Sequence, residues 1–143
     1  MLDSLFSQIG LLPALLVGAF AFSKGGDAER LGMGAWVLGW MAGMLIQNDS
    51  ELYVDFQLGL FVLDIVMLSV FVGLAWRFRR SWPVWAGACQ LIVVTCHVVF
   101  PFSPDASMLA FYTVLNLAGY GILAAIAVGT FWAWQDRRAA GLE

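Results

Sequence analysis

Residues 54–80, with the sequence VDFQLGLFVLDIVMLSVFVGLAWRFRR, contain the pattern that decides the fold. The run of mostly apolar residues ends abruptly at Trp76, and Arg77, Arg79 and Arg80 follow within four positions. A helix of about 20 apolar residues is long enough to span the hydrocarbon core of a bilayer, which is ~30 Å thick. The stretch therefore predicts a transmembrane helix with a cationic end.

Four further apolar runs lead to the same interpretation, and the composition agrees with it. The chain of 143 residues is 62% hydrophobic and 12% charged, whereas soluble domains are roughly half apolar and about 25% charged. We predict an all-α polytopic transmembrane helix bundle in a single domain, residues 1–143. Its five spans are predicted at residues 4–22, 31–47, 54–76, 82–102 and 108–134.

The cationic residues lie on alternate loops of this bundle. They are Lys24, Arg30, Arg77, Arg79, Arg80, Arg137 and Arg138. The intervening loops carry carboxylates and no Lys or Arg; these are Asp49, Glu51, Asp55 and Asp105. Cationic loops stay in the cytoplasm. We therefore predict that the N-terminus is outside, that the C-terminus is inside, and that the seven cations are cytoplasmic topology anchors.

Tryptophans gather at the span ends next to the cationic loops. They are Trp76, Trp82, Trp85, Trp132 and Trp134. Indole rings favour the headgroup zone of a membrane, so we predict an interfacial position for these side chains.

Polar side chains recur inside the predicted spans. Asp64 is the single carboxylate within a span, and a charge there costs at least about 2.5–3.5 kcal/mol unless it faces protein or water. Counted at 1.5 Å per residue from the cationic turn, Asp64 lies ~18 Å deep, between Gln90 at ~12 Å and His97 at ~22 Å. We predict a polar seam that joins the third, fourth and fifth helices. Its members are Asp64, His97, Gln90, Gln57, Asn116 and Tyr120.

Two interpretations of this seam stay open. Hydrogen bonds between polar side chains hold membrane helices together, each contributing about 0.6 kcal/mol on average. Ionisable groups in a membrane also mark proton relays and binding sites, which makes Asp64 and His97 candidates for proton-linked or ligand-binding chemistry.

The second helix carries a candidate packing face. Gly39 and Gly43 are four residues apart, with Trp36 and Trp40 alongside. Small residues at this spacing let helix backbones approach closely. The face can pack within the bundle or receive a helix of another subunit.

The sequence offers little for a cofactor or a metal. A single histidine makes a bis-histidine haem an unfavourable interpretation, although a haem or pigment ligated by His97 stays open. The adjacent Cys96 and His97 point about 100° apart on a helix, which argues against a metal site. We expect no cofactor and no metal, and the chain has no basic patch for nucleic acid.

The stretch Arg79–Trp85, with the sequence RRSWPVW, is followed by Gln90, Leu91 and His97, and Asp64 lies in the preceding helix. This arrangement resembles a group of small, uncharacterised integral membrane proteins of alphaproteobacteria. The resemblance covers the third and fourth helices only. It implies a multi-pass protein of the bacterial inner (cytoplasmic) membrane and carries over no activity.

The short loops leave no room for a soluble active site. We expect a non-enzymatic accessory or assembly subunit of a larger membrane complex, with the second helix as its docking face. Its partners would be the lipid bilayer and other membrane subunits or further copies of itself. The first alternative is a small proton-coupled transporter or channel that uses Asp64 with His97. A less favoured alternative is a haem- or pigment-binding membrane subunit ligated by His97.

Overall fold

A computed structural model describes residues 5–46, 58–102 and 107–142. Within these ranges the chain forms α-helices and a short 3₁₀ segment, with no strand, so the predicted all-helical bundle is confirmed. The elements are α1 (Leu5–Lys24), α2 (Asp27–Ile46), α3 (Leu58–Phe78), α4 (Trp82–Val99), the 3₁₀ segment Phe100–Phe102 and α5 (Met108–Ala139). The predicted seam residue Gln57 and the acidic loop residues Asp49, Glu51, Asp55 and Asp105 lie outside the described residues.

Three helical stretches are long and apolar enough to cross a membrane. They are Leu58–Phe78, Trp82–Phe102 and Leu109–Ala139. In α1 the described part of the chain adds a shorter apolar stretch, Leu11–Lys24. By length and composition the chain therefore has the character of a membrane protein, and the third, fourth and fifth predicted spans coincide with helices of sufficient length.

The helices form a closed ring. Each helix packs against the next one in the sequence, α5 returns to contact α1, and α2 also touches α5. Because short turns join α1 to α2 and α3 to α4, these pairs are antiparallel. The ends of α1, α3 and α5 therefore lie beside the starts of α2 and α4. We call this the cationic end, because the seven predicted anchor residues lie at these helix ends or in the turns.

α2 starts earlier than the sequence indicated. The predicted span begins at residue 31, whereas the helix begins at Asp27. The side chain of Glu29 caps it, since the Gly26 amide donates to Glu29 Oε2 at 2.9 Å. Glu29 is only 2% exposed. A second carboxylate besides Asp64 therefore lies inside the bundle, just before the predicted second span.

The apolar core lies nearer the cationic end. Phe71, Met33 and Ile126, from α3, α2 and α5, are fully buried there. Trp82 belongs to the same cluster and is 3% exposed. Its indole therefore points into the bundle and is not exposed at the surface. Trp76, by contrast, is 87% exposed.

Contacts at the cationic end close the ring between α1 and α5. The Arg137 guanidinium donates to the backbone carbonyl of Lys24. The Lys24 ammonium and the Arg138 guanidinium lie 5.9 and 5.2 Å from the centre of the Trp134 ring. Cations at these distances from an indole ring are attracted by its electron-rich face. The predicted anchors thus also hold helices together.

Candidate functional site

Asp64 accepts hydrogen bonds from the neighbouring helix. The Gln90 amide Nε2 lies 2.8 Å from Asp64 Oδ1 and 3.3 Å from the Asp64 backbone carbonyl. Gln90 is 4% exposed, so this contact joins α3 to α4 inside the bundle. The buried amide and the partly buried carboxyl satisfy each other here, as polar groups away from water require.

The second oxygen of the carboxyl faces a histidine. Asp64 Oδ2 lies 3.4 Å from His97 Nδ1, which is also 3.1 Å from the backbone carbonyl of Val93. Both neighbours of Nδ1 can accept a hydrogen bond, so the geometry favours a proton on Nδ1. The lone pair of the neutral ring is then on the other nitrogen, Nε2. We call Asp64, Gln90 and His97 the Asp64 cluster.

Aromatic rings surround the imidazole. The Phe111 ring meets it edge-on with centroids 5.3 Å apart, and the Phe61 ring is tilted at 6.3 Å. His97 is 7% exposed. The rings fix the orientation of the imidazole and limit its access to water, which strengthens its interaction with Asp64.

The Asp64 cluster lines a cavity of about 480 Å³, here called the central cavity. α5 contributes Asn116 and Tyr120 to its wall. The predicted packing face of α2 forms another part of the wall, with Trp36, Gly39, Trp40 and Gly43. The structure thus brings two sets of residues that the sequence suggested separately around one space. Ligand cavities in proteins are typically apolar with a few convergent polar groups, and this one has that character.

The α5 residues of the predicted seam line the cavity but do not hydrogen-bond to the cluster. Asn116 donates from Nδ2 to the Tyr112 carbonyl of its own helix at 2.9 Å. Within the described part of the chain, it makes no hydrogen bond to α3 or α4. Tyr120 is 40% exposed. The hydrogen-bonded part of the seam therefore joins α3 and α4, and Asn116 does not act as interhelical glue to them.

The packing face of α2 contacts α3 at Gly39. A Cβ atom on Gly39 would lie 2.8 Å from Met67 Sδ of α3. Trp36 and Trp40 stack with centroids 6.4 Å apart and planes 6° from parallel. Gly39 therefore lies in close contact with α3, next to the Met67 side chain.

Glu29 is a buried polar residue that the sequence analysis did not select. Its Oε1 accepts a hydrogen bond from Trp82 Nε1 at 2.7 Å. The sequence does contain a pattern that could have identified it. Glu29 follows Gly26 by three positions at the start of an apolar helix, which is typical of an N-terminal cap.

No group of three or more side chains able to hold a metal ion occurs among the described residues. Our expectations about cofactors, including the open possibility of a haem or pigment on His97, stay predictions.

The arrangement can hold a proton at the Asp64 cluster and a small molecule beside it. No known family model matches the chain, and no curated protein or solved structure shows significant similarity to it.

Proposed function

We propose that the chain is a multi-pass protein of the bacterial inner membrane that crosses the bilayer with all five helices. The N-terminus would be outside and the C-terminus inside. Three sufficiently long apolar helices and the grouping of the cations at one end of the ring support this topology. Reporter fusions at Asp49, Ser81 and Glu143 test it. A cytoplasmic signal at Asp49 would reverse the orientation.

Within this topology we propose that the protein is a small proton-coupled carrier or channel. The observation that carries the proposal is the position of the Asp64 carboxyl, which contacts Gln90 and His97 while lining the central cavity. A merely structural polar pair needs no adjoining space. Here one ionisable pair borders a space large enough for a small solute.

The chemistry follows from the contacts. When Asp64 is ionised, the Gln90 amide and a His97 protonated on both nitrogens compensate its charge. When the cluster loses a proton from His97 Nε2, or when Asp64 gains one, the charge beside the cavity changes. A solute that binds one of these states more tightly shifts the population of that state, which is the thermodynamic requirement for coupling.

Asp64→Asn tests the proposal, because it keeps the size and hydrogen bonding of the side chain while it removes the charge. In proteoliposomes we expect the variant to lose pH-dependent flux and to remain abundant and folded. Asp136→Asn is the matched control, since Asp136 is an exposed carboxylate at the cationic end, away from the cavity. Wild-type pH dependence in a folded Asp64→Asn protein would end the case for proton coupling and leave a structural role.

The role of an accessory or assembly subunit of a larger membrane complex stays a prediction. The α2 face supports docking to a partner less strongly, since Gly39 packs against Met67 within the molecule. Purification in mild detergent tests it. A lone monomer without a partner would argue against an accessory role, and a stable complex with other membrane subunits would favour it. The same preparation tests the haem or pigment alternative, which requires visible absorption that His97→Gln abolishes.

A further inference from the structure

A second groove lies on the outside of the ring between α4 and α5, at the cationic end. Its volume is about 750 Å³, and it runs from the turn at Arg79 and Arg80 to Gly121. We call it the α4–α5 groove. It is separate from the central cavity, and its lining shares no residue with the Asp64 cluster.

Small residues of α5 form the floor of the groove. A Cβ atom on Gly121 would lie 2.7 Å from Cys89 Sγ, and one on Gly129 would lie 2.2 Å from Trp82 Cδ1. α4 and α5 therefore touch along this line. Ala124 and Val128 border it and are exposed, so the surface of the groove is apolar and unoccupied by the chain's own side chains in the described residues.

Two tryptophans form the walls near the mouth. Trp85 of α4 is 69% exposed and Trp132 of α5 is 60% exposed. Exposed indoles at the end of a membrane helix lie at the level of the lipid headgroups, with the ring among acyl chains and the N–H towards polar groups. The groove is thus apolar along its floor and carries tryptophans suited to the membrane interface near its mouth.

The mouth carries a net positive charge, because Arg79 and Arg80 line it together with one carboxylate, Asp136. Within the described part of the chain Arg79 has no ion-pair partner, and its backbone has a φ of 51°, a conformation disfavoured for residues other than glycine. Arg80 pairs with Asp136 at 3.0 Å, but both side chains are largely exposed, and such surface pairs contribute little. Both guanidinium groups can therefore bind an anion.

We propose that the α4–α5 groove binds a diacyl phospholipid with an anionic headgroup. The arginines at the mouth would hold the phosphate, Trp85 and Trp132 would flank the glycerol region, and one acyl chain would lie over Ala124 and Val128. The match between the cationic mouth, the interfacial walls and the apolar floor supports this occupant. Basic pockets between membrane helices are suited to anionic headgroups. The site is independent of the proposed proton coupling.

The test uses the full chain, purified in an uncharged detergent and freed of lipid. Phosphatidylglycerol and phosphatidylcholine with identical acyl chains are titrated, and bound lipid is counted by native mass spectrometry. We expect one tightly held phosphatidylglycerol, bound in preference to phosphatidylcholine. Each cation near a membrane surface attracts anionic lipid by about 1 kcal/mol, which corresponds to about fivefold in affinity. Arg79→Gln with Arg80→Gln should therefore weaken the binding of phosphatidylglycerol roughly 25-fold.

Two further variants separate a specific site from general surface charge. Arg77→Gln with Arg138→Gln also removes two cations from the cationic end, but neither residue lines the groove, so this variant should keep the preference. Val128→Trp keeps every charge and fills the groove, so it should weaken the binding of the lipid. Circular dichroism and gel filtration confirm that each variant is folded.

Three results of the binding measurements would overturn the proposal. They are equal affinity for both lipids in the wild-type chain, an equal loss in the Arg77 and Arg138 control, and unchanged binding in a folded Val128→Trp variant. A dimer that buries Trp85 and Trp132 would also overturn it, by showing that a second copy covers the groove.

Discussion

The indole N–H of Trp82 donates a 2.7 Å hydrogen bond to Oε1 of Glu29, joining the first turn of α4 to the first turn of α2. Both residues are buried, and the other oxygen of the carboxyl caps α2 through the Gly26 amide. The Glu29 carboxyl therefore caps the start of α2 and also holds the first residue of α4. The pair lies at the cationic end, on the opposite side of the core from the Asp64 cluster.

Trp82→Phe keeps an aromatic ring at this position and removes the N–H. Glu29 Oε1 then loses its donor in a buried place, which costs about 1–3 kcal/mol. We expect a lower Tm in detergent, measured by circular dichroism. Trp85→Phe is the control, because that ring is exposed and its replacement should change stability by under about 0.5 kcal/mol. Equal effects of the two changes would contradict a structural role for the Trp82–Glu29 bond.

Gly129→Ala tests the fit of the same indole. The new Cβ would lie 2.2 Å from Trp82 Cδ1, so either the ring or α5 must move. Overpacking of this kind costs typically about 1–3 kcal/mol. Gly119→Ala on the same helix meets no atom within 4 Å. It should be neutral or stabilising, because alanine favours a helix by up to about 1 kcal/mol. The thermal midpoints of the two variants should therefore shift in opposite directions or by clearly different amounts.

A double-mutant cycle measures the contact between Asp64 and Gln90. Asp64→Leu leaves the buried Gln90 amide without its acceptor, and Gln90→Leu leaves Asp64 Oδ1 without its donor, whereas the double variant leaves neither. We expect the double variant to be more stable than the sum of the single effects indicates, by about 0.6–1.7 kcal/mol. The pair Asp64 and Asn116 is the control, and its effects should add, because Asn116 bonds to its own helix. Strict additivity for Asp64 with Gln90 would mean that the contact does not form.

The tautomer of His97 can be observed directly. The chain has a single histidine, so ¹⁵N-labelled histidine gives the signals of one ring. At alkaline pH we expect the neutral ring to carry its proton on Nδ1, because Asp64 and the Val93 carbonyl both accept there. Asp64→Leu removes one of these acceptors and should increase the fraction of the Nε2–H tautomer. A neutral wild-type ring protonated on Nε2 would contradict the described geometry.

The sequence was informative where a periodic pattern determines a position. The depth of Asp64 between Gln90 and His97 followed from a constant helical rise, because a short turn sets the register of α3 against α4. The helix α2 begins four residues before the predicted apolar span, because Asp27, Glu29 and Arg30, which resemble a polar loop in the sequence, belong to its first turn. Acidic residues equally favour the first turn of a helix, and only the tertiary contact of Glu29 distinguishes the two interpretations.

The position of Trp82 shows a different limit. A tryptophan beside cationic residues at a span end is typical of the membrane interface. Here Gly32 and Gly129, on two other helices, leave the space that the indole occupies. The local sequence around Trp82 does not show that glycines on distant helices leave space for its ring. For the same reason the sequence did not reveal that the polar seam and the α2 packing face border one cavity.

The closure of the ring has a consequence for biosynthesis. α1 packs more extensively against α5 than against α2, and Arg137 bonds to the last residue of α1. A ribosome makes α1 first and α5 last of these helices, so α1 waits for its main neighbour until the other four helices have been made. If α1 crosses a bilayer as proposed, lipid or the insertion machinery covers its α5-facing surface during that interval. The ring is therefore closed last by the contact between α1 and α5, the two helices whose synthesis is furthest apart in time.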